Sequence, residues 1–252
     1  MPVLSDLEPR EVFAWFERLC AIPHSSHHAK AISDYLVAFA RERGLACRQD
    51  AANNVVIRKA ASAGYENALV VMLQGHIDMV CEKDADCGKD METEGLDLFV
   101  DGDVIGARGT TLGGDDGIAV AMALAVLDAD DIPHGPLECV FTADEEVGMI
   151  GARALDASAL KAKYLINIDS EEERVLTVSC AGACRTLCTL PVTRVPFDGE
   201  TLRVKISGLV GGHSGEEIHK GRANANLLLG RALDEMSRAG ALRLLSLIHI
   251  SE

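Results

Sequence analysis

Four junctions along the chain place acids or an imidazole where an apolar segment begins or ends, and this limits the possible folds more than any other feature. The run Ala68-Leu69-Val70-Val71-Met72-Leu73 leads into Gln74-Gly75-His76-Ile77-Asp78. It is short, rich in Val and Leu and bounded by polar residues, which predicts a buried strand. Residues 136–142 form a similar run and end in Ala143-Asp144-Glu145-Glu146; Tyr164-Leu165-Ile166-Asn167-Ile168 ends in Asp169. Between them, Asp115 and Asp116 open an apolar helix over 118–127, where the helix dipole favours negative charge. Strands separated by helices pair in parallel, so their carboxyl ends share one rim. That rim is where open α/β sheets bind ligands. The expected fold is therefore α/β, a mostly parallel sheet flanked by helices.

Each junction also has an ordinary reading: a hydrogen-bonded His, a helix-capping Asp pair, a solvated Glu turn. Gathered on one rim, however, so many carboxylates raise one another's pKa unless a cation compensates them. One imidazole among several carboxylates suits Zn²⁺, Co²⁺ or Mn²⁺. This many acids suits two ions about 3.5–4 Å apart, with one Glu left over as general base for a water.

The glycines of Arg108-Gly109-Thr110-Thr111-Leu112-Gly113-Gly114-Asp115-Asp116-Gly117 could suggest a phosphate loop, but no Gly-Lys-Ser/Thr follows and the neighbouring aspartates repel phosphate. A net charge of −15, from 39 acids against 24 bases, argues against nucleic acid or an anionic membrane surface as partner. The N-terminus has no basic start followed by an apolar stretch, and the run over 118–127 is far short of the ~20 residues a spanning helix needs. Eight cysteines without a signal peptide read as reduced thiols in a cytoplasmic protein. Cys180, Cys184 and Cys188 lack zinc-knuckle spacing and read as small packing side chains.

Residues 9–20 and 29–44 carry apolar positions at helical spacing, with Ser25 or Ser26 as cap of the second helix. His24, His27 and His28 at that junction read as solvent-facing. Residues 46–49 and 54–58 are expected to pair about Ala51-Ala52-Asn53, and 96–100 with 104–107 about Asp101-Gly102-Asp103. Further on, 201–206 alternates like a strand, and 223–239 reads as an amphipathic helix.

The motifs Gly75-His76-Ile77-Asp78-Met79-Val80, residues 108–117, Glu145-Glu146-Val147-Gly148-Met149-Ile150-Gly151-Ala152, Asn167-Ile168-Asp169-Ser170-Glu171-Glu172 and Gly211-Gly212-His213-Ser214-Gly215-Glu216-Glu217-Ile218-His219 together resemble the dinuclear zinc peptidases of the aminoacylase and carboxypeptidase group. Within that group they are most similar to the aminoacyl-histidine dipeptidase branch. The resemblance implies two Zn²⁺ ions, with Co²⁺ or Mn²⁺ as substitutes. His76 binds one and Asp115 bridges both, Glu146 serves one ion and Asp169 the other. It also implies a cis peptide between Asp115 and Asp116. Asp78 would orient the His76 imidazole, and Glu145 would take the proton from a metal-bridged water and pass it to the leaving amine. His213, and after it His219, would reach the substrate carbonyl oxygen from a lid, polarising it as charge develops.

The implied organisation is a metal-binding domain over 1–182 and the start of an α+β lid over 183–244, through which the parent protein forms a homodimer. The substrate class is dipeptides, those with C-terminal His among them. Related N-acyl amino acid deacylases or carboxypeptidases, and a non-catalytic metal-binding scaffold, are the alternatives. One departure concerns the end of the chain. The resemblance calls for a last histidine ligand after the lid, and residues 245–252 instead match the in-frame translation of a transposon-end sequencing adaptor. On that reading Leu244 lies near the last genuine residue and His249 is not the missing ligand. This piece alone would then hold zinc weakly, turn over little, and expose a sheet edge.

Overall fold

The computed structural model describes residues 2–170, 174–179, 186–212, 217–240 and 242–247. They sort into two compact units, Met1–Val175 and Leu176–Glu252. The boundary expected at 182 lies outside the described residues.

The first unit opens with α1 (Arg10–Cys20) and α2 (Lys30–Glu42). Val12, Trp15, Phe16 and Leu19 bury one face of α1; Ile32, Leu36, Phe39 and Ala40 bury one face of α2. Trp15 and Phe39 meet edge to face, 5.0 Å between centroids. The strands β1 (Ala46–Gln49) and β2 (Val55–Lys59) pair antiparallel as expected. They join β3 (Val71–His76), β6 (Leu137–Thr142) and β7 (Tyr164–Asn167) in one sheet of order β1-β2-β6-β3-β7. A separate hairpin pairs β4 (Leu98–Asp101) with β5 (Val104–Ala107) across Gly102, whose φ of 62° only glycine adopts readily. In the sheet β6 pairs in parallel with β3, which pairs in parallel with β7, while β2 runs against both β1 and β6. Four strands therefore share one direction and β2 is the exception. The helix α3 (Gly114–Asp128) is buried on most of its circumference by Ala119, Val120, Ala121, Ala123, Leu124 and Leu127, and the short helix α4 (Ile150–Ala154) follows β6.

Parallel register sets the rim. His76 pairs with Thr142, so β3 and β6 end side by side, and Gln74 pairs with Asn167 two residues before Asp169. Asn167 Nδ2 donates to Gln74 Oε1 at 2.6 Å, and Asn167 Oδ1 accepts from Asp169 N at 3.1 Å. The edge strand β7 leaves Tyr164, Leu165 and Ile166 exposed.

The central strand β6 is buried throughout and includes an acid, Glu138. Its carboxylate accepts from Arg58 Nε at 2.8 Å and from the main-chain N–H of Lys161 and Ala162 at 2.8 and 2.9 Å. Burial alone would push this carboxyl up, but Arg58 and the two N–H groups outweigh it and hold it below the usual range. A depressed folded pKa adds stability above the unfolded value of about 4.3, and that stability is lost as pH falls through the folded value. Glu138→Gln is expected to cost about 2 kcal/mol at pH 7. The gap from wild type should close as acid is added, which pH-dependent urea melts would measure.

Three sequence expectations are corrected. The cap of α2 is Ala29, with no side-chain cap bond, so neither Ser25 nor Ser26 serves there. His24 is buried at 5% exposure, its Nδ1 2.5 Å from the Ile22 carbonyl, because the loop folds inward against the rim. Residues 201–206 form no strand: alternation gives a stretch two faces, but a strand also needs a paired neighbour, and none is assigned among the described residues of that unit. The same unit carries α5 (Ala225–Ala239), capped by Asn224 Oδ1 on Leu227 N, close to the expected helix. No helix among the described residues is long and apolar enough to cross a membrane.

Candidate metal centre

His76 is the last residue of β3 and is 1% exposed. Its Nδ1 lies 2.9 Å from the Asp78 carbonyl oxygen and its Nε2 2.9 Å from Asp115 Oδ1. The Asp78 carboxylate is farther from Nδ1, at 3.5 Å, so the main chain of Asp78 makes the nearer contact. With Nδ1–H donating to that carbonyl, Nε2 turns a lone pair toward a carboxylate oxygen. Such an approach is repulsive unless a cation or a proton sits between them. Without metal the proton does: burial opposes the charged ring, but Asp115, Asp78 and Asp116 outweigh it and raise the imidazole to about 11.

Asp115 and Asp116 lie at the head of α3, joined by a cis peptide, with non-helical backbone angles that aim them differently. Asp116 is buried, and its Oδ2 accepts from His76 N at 3.1 Å. Burial, reinforced by Asp169 and Asp115 against the opposing charge of His76, pushes its carboxyl up to about 7. Close passage at Gly75 permits this placement, since a Cβ there would meet Asp116 Oδ2 at 2.7 Å.

Glu145 and Glu146 follow β6 on a turn closed by main-chain bonds from Gly151 to Ala143 and from Ile150 to Asp144. Asn54 bridges its ends, Nδ2 donating to Gly151 O at 2.9 Å and Oδ1 accepting from Ala143 N at 3.1 Å. Gly151 is obligatory there, because a Cβ would lie 2.3 Å from Ala143 O. The buried Asp78 carboxylate fastens the turn to β3, accepting from Glu145 N at 2.9 Å and Glu146 N at 3.4 Å. Burial raises both glutamates above the ordinary range; for Glu145 the charge of His76 opposes this, and Asp169, Asp78 and Asp115 add to it.

Among the described residues two overlapping groups of donors, His76 with Asp115 and Glu146 and His76 with Asp116 and Asp169, are each gathered closely enough for an ion, and the single free nitrogen of His76 can serve one ion at a time. In both, the ligand atoms are within 4.8 Å of one another. An imidazole nitrogen among carboxylate oxygens fits a borderline divalent ion. The four ligands expected from the sequence are thus brought to one rim. Asp116, which the sequence offered with Asp115 as either a capping pair or cation ligands and to which the resemblance gave no metal role, joins them. His219 is exposed on a single 3₁₀ turn (Ile218–Lys220) of the second unit, and His213 lies outside the described residues.

The profile of peptidase family M20/M25/M40 matches residues 72–231, more than half of the chain and all four junctions. The chain belongs to this family. The M20 chain is 45% identical over 235 residues to the cytosol non-specific dipeptidase of Escherichia coli K12, covering 92% of this chain and 48% of that protein. It also superposes on the crystal structure of aminoacylhistidine dipeptidase from Vibrio alginolyticus with TM-score 0.68 and 38% identity, over 91% of this chain and 47% of that one. A Staphylococcus aureus tripeptidase, at 24% identity and TM-score 0.55, shares the fold over 66% of this chain. The M20 chain spans about half the length of the curated dipeptidase it matches.

Proposed function

We propose that the whole protein of which this M20 chain is a part hydrolyses dipeptides, Xaa-His among them, in the cytoplasm, using two zinc ions that Co²⁺ or Mn²⁺ can replace. The observation that carries this reading is the gathering of five donors, His76, Asp115, Asp116, Glu146 and Asp169, in two overlapping groups around His76, whose Nε2 serves one ion, with Glu145 on the same turn as Glu146. His76, Asp115, Glu146 and Asp169 hold the ions in this reading. When bound, such a pair supplies Lewis acidity and an acidified water. The chain's own part is to orient and to move a proton. The Asp78 carbonyl fixes which nitrogen of His76 faces the site. Glu145, raised by burial, takes the proton from the attacking water and delivers it to the leaving amine. In this reading residues 183–244 belong to the lid and dimer face, and His213 and His219 would be the histidines that polarise the substrate carbonyl oxygen.

The test compares Xaa-His dipeptides with N-acetyl amino acids on the whole protein, after chelation and after adding zinc back. Cleavage of the dipeptides restored by zinc is expected; preference for the acylated amino acids would move the reading to a deacylase. Zinc at a hundred times its Kd should also stabilise the metal-free protein by about 2.7 kcal/mol, visible as a rise in melting temperature that EDTA reverses.

A further inference from the structure

The loop between α1 and α2 is bonded to both turns that carry the site. His24 O accepts from Met79 N at 3.1 Å, and Ser26 N donates to Met79 O at 3.3 Å, so the loop runs beside the chain just past Asp78. On the other side His27 N donates to Asp144 Oδ1 at 2.6 Å, next to Glu145. Between these anchors Ser26 Oγ donates to Asp78 Oδ2 at 2.8 Å. That same oxygen takes the N–H of Glu146, while Oδ1 takes the N–H of Glu145 and lies 3.5 Å from His76 Nδ1. The hydroxyl has no helix-capping duty, since α2 starts after Ala29.

We propose that Ser26 is a positioning residue for the metal centre: its hydroxyl sets the rotation of the Asp78 carboxylate, which in turn holds the Glu145–Glu146 turn in register with His76. The inference rests on the functional reading above for its effects on zinc affinity and turnover, and on the geometry alone for its effect on the turn. A carboxylate pivots about its Cβ–Cγ bond, and the two main-chain N–H donors hold it unevenly, Glu145 N at 2.9 Å from Oδ1 but Glu146 N at 3.4 Å from Oδ2. A third donor, from a different loop, fixes it. Without it the Glu146 N–H, already the longest of these bonds, is the first to be lost.

The experiment uses the whole protein with Ser26→Ala and Ser26→Thr. In the metal-free form, amide hydrogen exchange at Glu145 and Glu146 should quicken about tenfold in S26A, with the amide of Val140 in the middle of β6 unchanged. Zinc affinity, read by competition with a chromophoric chelator, should fall about 10–100-fold, and kcat for a dipeptide should fall with little change in KM. S26T, which keeps the hydroxyl, should recover all three readouts. Wild-type exchange and zinc affinity in S26A overturn the proposal, and so does equal damage in S26A and S26T, which would assign the effect to packing. If the wild type binds zinc yet cleaves no dipeptide, the functional reading falls while exchange and affinity still decide the role of Ser26. If the wild type binds no zinc, exchange alone decides it.

Discussion

Replacing Glu145 by Gln in the whole protein is expected to lower the proposed dipeptide turnover about 10²–10⁴-fold while zinc content stays at the wild-type level. The separation of the two readouts follows from the geometry. Glu145 belongs to neither donor group, whereas its neighbour Glu146 belongs to one of them. The backbone N–H of Glu145 still reaches Asp78 Oδ1 in the variant, so the turn keeps its place. What the amide cannot do is accept a proton. Glu146→Gln should give the opposite signature, with metal content falling alongside rate. Metal analysis and initial rates on the two variants decide the assignment; equal turnover in wild type and Glu145→Gln removes Glu145 from the chemistry.

The rim was legible in the sequence because topology turns a one-dimensional pattern into a place. A strand ending in His76, another ending before Glu145 and a third before Asp169 must bring those groups together if the strands are parallel, and the pairing of His76 with Thr142 and of Gln74 with Asn167 does so. Helices α1 and α2 were legible for a similar reason, since a buried face repeats every third or fourth residue. Pattern fails where the partner is remote. The alternation over 201–206 looks like a strand, but nothing in it supplies the neighbour a strand requires. Tyr164, Leu165 and Ile166 are as apolar as the residues of β6, yet β7 lies at the sheet edge, and composition does not distinguish edge from centre.

Within the site, the unread residues are those whose roles depend on orientation. Asp115 and Asp116 are the same residue twice; only the backbone between them sends one carboxylate to His76 Nε2 and the other beneath the strand to His76 N. A serine just before a helix reads as a cap on statistical grounds, and Ser26 instead spends its hydroxyl on an acid 52 positions away. The histidines of the same loop divide in an equally unreadable way, His24 buried and His27 exposed, because the loop lies across the rim rather than on the surface.

Asp78→Ala should be strongly destabilising to the first unit. The carboxylate is 1% exposed and accepts from Ser26 Oγ, Glu145 N and Glu146 N. Burial alone pushes its carboxyl up, but His76 and these donors outweigh burial and hold it below the ordinary range, so it is charged at neutral pH. Truncation leaves three part-buried donors without their acceptor, and each such orphan costs about 1–3 kcal/mol. A loss on the order of 4 kcal/mol corresponds to a melting temperature lower by roughly 10 °C for a unit of this size. Zinc affinity should fall at least tenfold at the same time, because the turn bearing Glu146 is no longer tied to the strand bearing His76. Asp78→Asn separates charge from shape. It keeps one acceptor oxygen but turns an NH₂ toward one of the donors, so it should fall between wild type and alanine in both melting temperature and zinc affinity. If Asp78→Ala melts with the wild type and binds zinc as tightly, then the two strand ends are held together by the metal ligands themselves, and the tie through Asp78 contributes nothing.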